Sequence, residues 1–187
     1  LMVEPKKKAS KKKSSEKIED PDPGLPVVIH RPKLLKWEDF QAEAPTKVRQ
    51  LSRYSALTAL ELRYSYDVKI SGEKVILKVQ AEPIFNKKMS WYKSPSDELL
   101  KHEQGHFDLV FVYSLEFKKR VQEEMETFTV EDYEKRVAGI YRQIWKEQLQ
   151  LQRKYDDETD HSVNRKDQEK WDELIQKMIL TRYSYIK

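Results

Sequence analysis

Apolar and polar residues alternate along the stretch 58–70. Leu60, Leu62, Tyr64, Tyr66, Val68 and Ile70 fall on one face; Glu61, Arg63, Ser65, Asp67 and Lys69 fall on the other. A period of two predicts a half-buried strand. Ser71-Gly72 supplies a turn, and Val75, Leu77, Val79 and Ala81 resume the alternation. The two runs predict an antiparallel hairpin. Upstream, the apolar stretch 25–32 ends at Pro32 and predicts a short strand.

The pattern changes at Ser94-Pro95-Ser96-Asp97. Ser94 can cap a helix, Pro95 suits its first position and Asp97 completes a capping box, which predicts a helix to about Glu126. Thr129-Val130-Glu131-Asp132 is a second box, before a helix that buries Tyr133, Val137, Ile140, Ile144 and Leu151. An acidic loop, Asp156 to His161, is expected next. A last helix starts near Asn164 and carries Trp171, Leu174, Ile175 and Met178. Strands first and helices afterwards predict an α+β domain, an N-terminal antiparallel sheet followed by a helical part.

Composition divides the 187 residues in two. Residues 1–24 are rich in Lys, Ser, Glu, Asp and Pro, with almost nothing to bury, and are expected to be disordered. Residues 25–187 form the expected domain. The net charge is +4, and the lysines between positions 6 and 13 alone exceed it. The remainder carries no evident basic face for nucleic acid. Cysteine is absent, which excludes disulfides and thiolate-bound zinc. No apolar run reaches the length of a membrane span, and no signal peptide is visible. The opening Leu-Met suggests a trimmed N-terminus.

The chemistry lies in His102-Glu103-Gln104-Gly105-His106. On a helix, residues four apart lie only about 40° apart around the axis, so both imidazoles point one way. That suits two ligands of one Zn2+. Glu103 is about 100° round from His102, placed to reach a metal-held water rather than the metal. Zinc lowers the pKa of such a water toward about 7, and a carboxylate can take its proton. Glu103 also falls inside the apolar arc of Leu99, Leu100, Phe107, Val110 and Phe111. A buried carboxylate there needs a cationic neighbour. Gly105, in mid-helix, costs about 1 kcal/mol against alanine, and close approach of another backbone would account for it.

A catalytic zinc needs a third protein ligand. Of the remaining histidines, His30 sits in the expected N-terminal strand without supporting neighbours, and His161 sits in the acidic loop. His161 is the expected ligand, because its neighbours can hydrogen-bond a ligating imidazole. The competitor is a carboxylate from Asp156, Asp157, Glu158 or Asp160. Tyr155 or Tyr113 is a candidate oxyanion stabiliser.

The stretch Leu99 to Asp108, with His-Glu-Gln-Gly-His-Phe-Asp at its centre, resembles a bacterial family of zincin-like peptidases, domain-of-unknown-function family 922. The likeness extends to Trp37-Glu38-Asp39-Phe40, Ser90-Trp91, and Tyr155-Asp156-x-Glu158-Thr159-x-His161 with Gln168 and Trp171 behind, over roughly residues 34–180. It implies a zincin-like fold, His102, His106 and His161 on zinc, and Glu103 as base. It also implies a periplasmic, cell-surface or secreted location. The family's pattern carries a small residue, usually glycine, where this chain has Ser162, and Glu and Arg where it has Phe111 and Leu115. The expected function is a zinc-dependent peptidase acting on a peptide or protein. The alternative is a non-catalytic zinc-binding domain of the cell envelope.

Overall fold

The computed structural model describes residues 32–47 and 54–183. Segment 1–24 lies outside them, as does the strand expected over 25–32, save Pro32, which sits in a bend. A 3-10 turn (Trp37–Asp39) leads to β1 (Ala56–Leu57), β2 (Leu60–Ser71), β3 (Lys74–Phe85) and β4 (Trp91–Tyr92). Three helices follow: α1 (Asp97–Glu124), α2 (Tyr133–Thr159) and α3 (Arg165–Tyr183), with a 3-10 turn (Met125–Thr127) after α1. The architecture is α+β. No helix among the described residues is long and apolar enough to cross a membrane.

The expected hairpin forms, with Leu62 opposite Pro83, Tyr64 opposite Ala81 and Ile70 opposite Val75. Gly72 takes the turn at φ 61°, a conformation that costs glycine least. Leu60, Leu62, Val75 and Leu77 are buried, whereas Val68 and Ile70 at the tip are exposed. The face is as the alternation predicts; the ribbon outruns the helices that cover it. β1 and β4 form a separate two-stranded sheet, with Ala56 opposite Tyr92.

α1 is buried on nearly every side, as expected of a helix sandwiched between layers. One face (Phe107, Val110, Tyr113, Phe117, Val121) packs with the hairpin and with Val137, Ile140 and Ile144 of α2. The opposite face (Leu109, Phe111, Val112, Leu115) packs with Tyr155, Trp171, Ile175 and Ile179. Phe111 and Leu115 therefore contribute apolar area to the α1–α3 contact.

Several boundaries differ from expectation. Ser96, not Ser94, caps α1: its backbone is extended, and its Oγ accepts from the Leu99 amide at 3.1 Å. Half of the second box forms, Asp132 Oδ1 accepting from the Thr129 amide at 2.9 Å. The acidic segment 156–159 is helical rather than a loop. Tyr155 and Thr159, four apart, are both fully buried, so the packed face of α2 continues through them. Only residues 160–164 turn, and Asn164 then caps α3 by accepting from the Asp167 amide at 3.2 Å.

The sheet end is pinned beside α1. Trp37, Phe40, Phe85 and Tyr92 form an aromatic cluster with centroids about 5 Å apart. Asp39 accepts from the Lys33 and Lys87 ammonium groups, each at 2.9 Å, and from the Lys36 amide at 3.1 Å. Burial alone would raise its pKa, but these bonds hold it at about 2. A depressed carboxylate pKa contributes stability above the unfolded value of 3.8, and that contribution is lost as pH falls toward 2. Asp39→Asn should therefore cost about 1–2 kcal/mol at pH 7 and much less near pH 2, read from urea midpoints at both. An equal cost at both would show the lysine contacts are idle.

Candidate metal centre

His102, Glu103 and His106 share one stretch of α1 facing a cleft, as their helical spacing dictates. The cleft is lined by Tyr54 to Thr58 on the β1 side, by these three residues, and by Gln152, Asp156 and His161 opposite. Tyr54 to Thr58 are held by the β1–β4 pairing and, just beyond them, by Ser90, whose Oγ accepts from the Ala59 amide at 3.0 Å and donates to the Asn86 carbonyl at 2.7 Å.

The imidazole nitrogens converge. His102 Nε2 and His106 Nε2 are 3.2 Å apart. Asp156 Oδ1 lies 3.2 Å from the first and 2.9 Å from the second. His161 Nδ1 lies 3.4 Å from the same oxygen. The donor atoms of His102, Asp156 and His161 all fall within 4.8 Å of one another. A tetrahedral zinc site with bonds of about 2.0–2.1 Å has donors roughly 3.3–3.4 Å apart along each edge. Two edges of the His102, His106 and Asp156 triangle, at 3.2 Å, come close to this spacing, and the third, His106 to Asp156 at 2.9 Å, is the shorter contact of an ion pair.

Both α1 histidines have their tautomer fixed from behind. His102 Nδ1 is 3.0 Å from Gln168 Oε1. The Gln168 amino group is engaged by Tyr155 Oη at 2.7 Å and Asp172 Oδ1 at 2.9 Å, so its carbonyl faces the imidazole. His106 Nδ1 meets Gln152 Oε1, while Gln152 Nε2 donates to the His106 carbonyl at 2.9 Å. Each Nδ1 therefore donates, and each Nε2 presents a lone pair to the cleft. Facing them is a carboxylate oxygen, also an acceptor. Such a set is stable only around a cation or a shared proton. Without a metal the proton goes to His106: burial lowers its pKa, but the Asp156 carboxylate raises it to about 9. Burial likewise raises the Asp156 pKa, and the His102 and His106 contacts overcome this and hold it far below the ordinary carboxylate range.

Glu103 is buried, with one carboxylate oxygen held by the Thr58 hydroxyl. Tyr155 and Tyr113, the candidate oxyanion stabilisers, are both core residues away from the cleft lining. The Tyr155 hydroxyl donates to the His102 carbonyl at 3.0 Å, and its ring stacks on His102 at 4.7 Å. The tyrosine of the cleft is Tyr54, half exposed, with its ring 4.8 Å from that of His161. His30 lies outside the described residues.

His161 sits in an unusual turn. Asp160, His161 and Ser162 have φ of 46°, 51° and 81°. Left-handed backbone costs a residue with a Cβ about 1–2 kcal/mol. Ser162→Gly should therefore raise stability by about 0.5–1 kcal/mol, a shift of a few degrees in thermal midpoint. An unchanged or lowered midpoint would show that this turn is not strained.

A family model described as a bacterial protein of unknown function, DUF922, matches residues 36–162. The chain belongs to this family. No curated protein and no solved structure matches it significantly. The DUF922 match holds both histidines of α1, Glu103, Asp156 and His161, and stops short of α3. Gln168, which orients His102, thus comes from outside the matched region. Most quoted motif residues have a contact that accounts for them: Gln104 Oε1 accepts from the Leu35 amide at 2.8 Å, and Trp171 Nε1 donates to Glu158 Oε2 at 2.8 Å.

Proposed function

We propose that this DUF922 protein is a zinc-dependent peptidase, with His102, His106 and Asp156 as the principal metal donors, His161 beside them, and Glu103 as general base. The observation that carries this reading is the meeting of lone pairs: two Nε2 atoms, each committed to accept by its bonded Nδ1, face a carboxylate oxygen within 3.2 Å. Divalent zinc fits that mixed nitrogen and oxygen donor set. When bound it would polarise a carbonyl and acidify water. The chain's own residues supply the rest. Gln152 and Gln168 hold the imidazoles in register. Thr58 aims the Glu103 carboxylate, which accepts a proton from the attacking water and passes it to the leaving amine.

Substrate would lie along β1. The Lys93 amide donates to the Ser55 carbonyl at 2.8 Å, which makes Ala56 and Tyr92 the non-hydrogen-bonded pair. The Ala56 amide and carbonyl therefore point away from β4, free to pair with an extended peptide.

The second reading, a non-catalytic zinc-binding domain of the cell envelope, is favoured by one observation: His161 stands within 4.8 Å of the His102 and Asp156 donor atoms, a further protein donor beside the His102, His106 and Asp156 set, and structural sites are closed by protein donors. A buried base in the cleft argues against it, since a structural site needs none. Elemental analysis after mild purification should give close to one zinc per chain. His102→Ala and His106→Ala should each lose it, and full zinc retention in either would refute the site.

A further inference from the structure

We infer that His161 closes this centre as a displaceable fourth donor, rather than holding the metal as a fixed ligand alongside His102 and His106. The inference rests on the zinc reading above and adds the order in which donors yield.

The contrast among the donors is geometric. His102, His106 and Asp156 form a triangle with no edge longer than 3.2 Å. His161 comes nearest this triangle at Asp156, at 3.4 Å, and its donor atom lies within 4.8 Å of that of His102. The support behind each donor differs in the same sense. His102 and His106 are carried on a buried helix, and each is locked through Nδ1 by a glutamine carbonyl. Asp156 belongs to the last turn of α2. His161 lies past the end of α2, in the turn 160–164, on the middle of three consecutive left-handed residues. Its side chain is 14% exposed, and its ring has Asp156 as its one polar partner among the described residues and the half-exposed Tyr54 edge-on to it.

A hydrolytic centre needs one open coordination position, which four protein donors would fill. The donor that can leave with least disturbance is the one without a second anchor. His161 and Tyr54 both line the cleft, so their outward movement opens the position on the substrate side. Strained backbone at ligand clamps is a usual place for such bistability. In the closed state the protein holds its metal in a four-donor site; a peptide pairing with β1 would displace the ring.

Co2+ is the probe, because its visible absorption reports the number and identity of its donors without requiring turnover. Wild type should bind one Co2+ with a four-coordinate spectrum that excess azide barely alters. His161→Phe keeps a ring against Tyr54 but offers no donor. It should still bind one Co2+, with affinity lowered about tenfold, the lower end of what supporting groups contribute. Its spectrum should shift on adding azide, as an open position requires. Asp156→Ala should lose more than about a hundredfold, beyond the range of supporting groups. His161→Asn serves the same test if the phenylalanine variant misfolds by circular dichroism.

Loss of Co2+ from both His161 variants as complete as from His102→Ala would overturn the inference. So would an Asp156→Ala protein that binds like wild type, since His161 would then be the third fixed ligand. A folded wild type that binds neither Co2+ nor Zn2+ would instead refute the zinc reading itself.

Discussion

Glu103→Gln is expected to leave zinc content and thermal midpoint unchanged while lowering peptide hydrolysis by about 10²–10⁴-fold, the range a positioned general base contributes. The side chain is 4% exposed, and its carboxylate receives the Thr58 hydroxyl. Glutamine has the same shape and keeps an oxygen for that bond, so packing and the neighbouring histidines stay in place. It cannot accept the proton of the attacking water. The loss should therefore appear in kcat, with KM little changed, because the missing interaction belongs to the transition state. Equal rates for the two proteins on an unfolded protein substrate would remove Glu103 from the chemistry. A fully zinc-loaded wild type that cleaves nothing across a broad peptide library would favour the binding-domain reading instead.

The parts of this site carried by one helix were legible in the sequence, because a spacing of four fixes a shared face whatever the rest of the chain does. His102, Glu103 and His106 are of that kind, as is the hairpin, whose register follows from strict alternation. Donors brought from elsewhere were harder to rank. Among four neighbouring acidic residues, only Asp156, one turn after Gln152, lines the cleft, and that is decided by α2 running to Thr159. A usable signal did exist: Gln148, Gln152 and Asp156 recur every four residues, with buried Thr159 following, a polar line within an amphipathic helix. It parallels Glu103 within the apolar arc of α1. Thr58 and Tyr54 gave no signal. They flank a strand of two residues, too short for any period to show, and β4 and Ser90 hold this stretch from a distant part of the chain. The lysine-rich segment and the strand expected at 25–32 lie outside the described residues.

Gly105 was recognisable as costly in mid-helix, and the neighbour that accounts for it is a side chain rather than a second backbone. A Cβ at this position would lie 2.8 Å from Tyr155 Cζ, and closer still to its hydroxyl. Gly105→Ala sets two effects against each other. Helix propensity favours alanine by about 1 kcal/mol. Overpacking a closed core costs about 1–3 kcal/mol and occasionally more. The second should win here, because Tyr155 has nowhere to go. It is fully buried, its hydroxyl bridges the His102 carbonyl and Gln168, and its ring stacks on His102. The net expectation is a loss of up to about 2 kcal/mol, or up to roughly 4–8 °C in thermal midpoint for a chain of this size. Displacing Tyr155 also disturbs the Gln168 contact that orients His102, so zinc affinity should fall about 10–100-fold. Tyr155→Phe removes the closest atom, and in the double variant part of the alanine penalty should disappear, a non-additivity that identifies the contact. A Gly105→Ala protein that melts higher than wild type and holds zinc as tightly would mean that Tyr155 does not pack against this turn of α1.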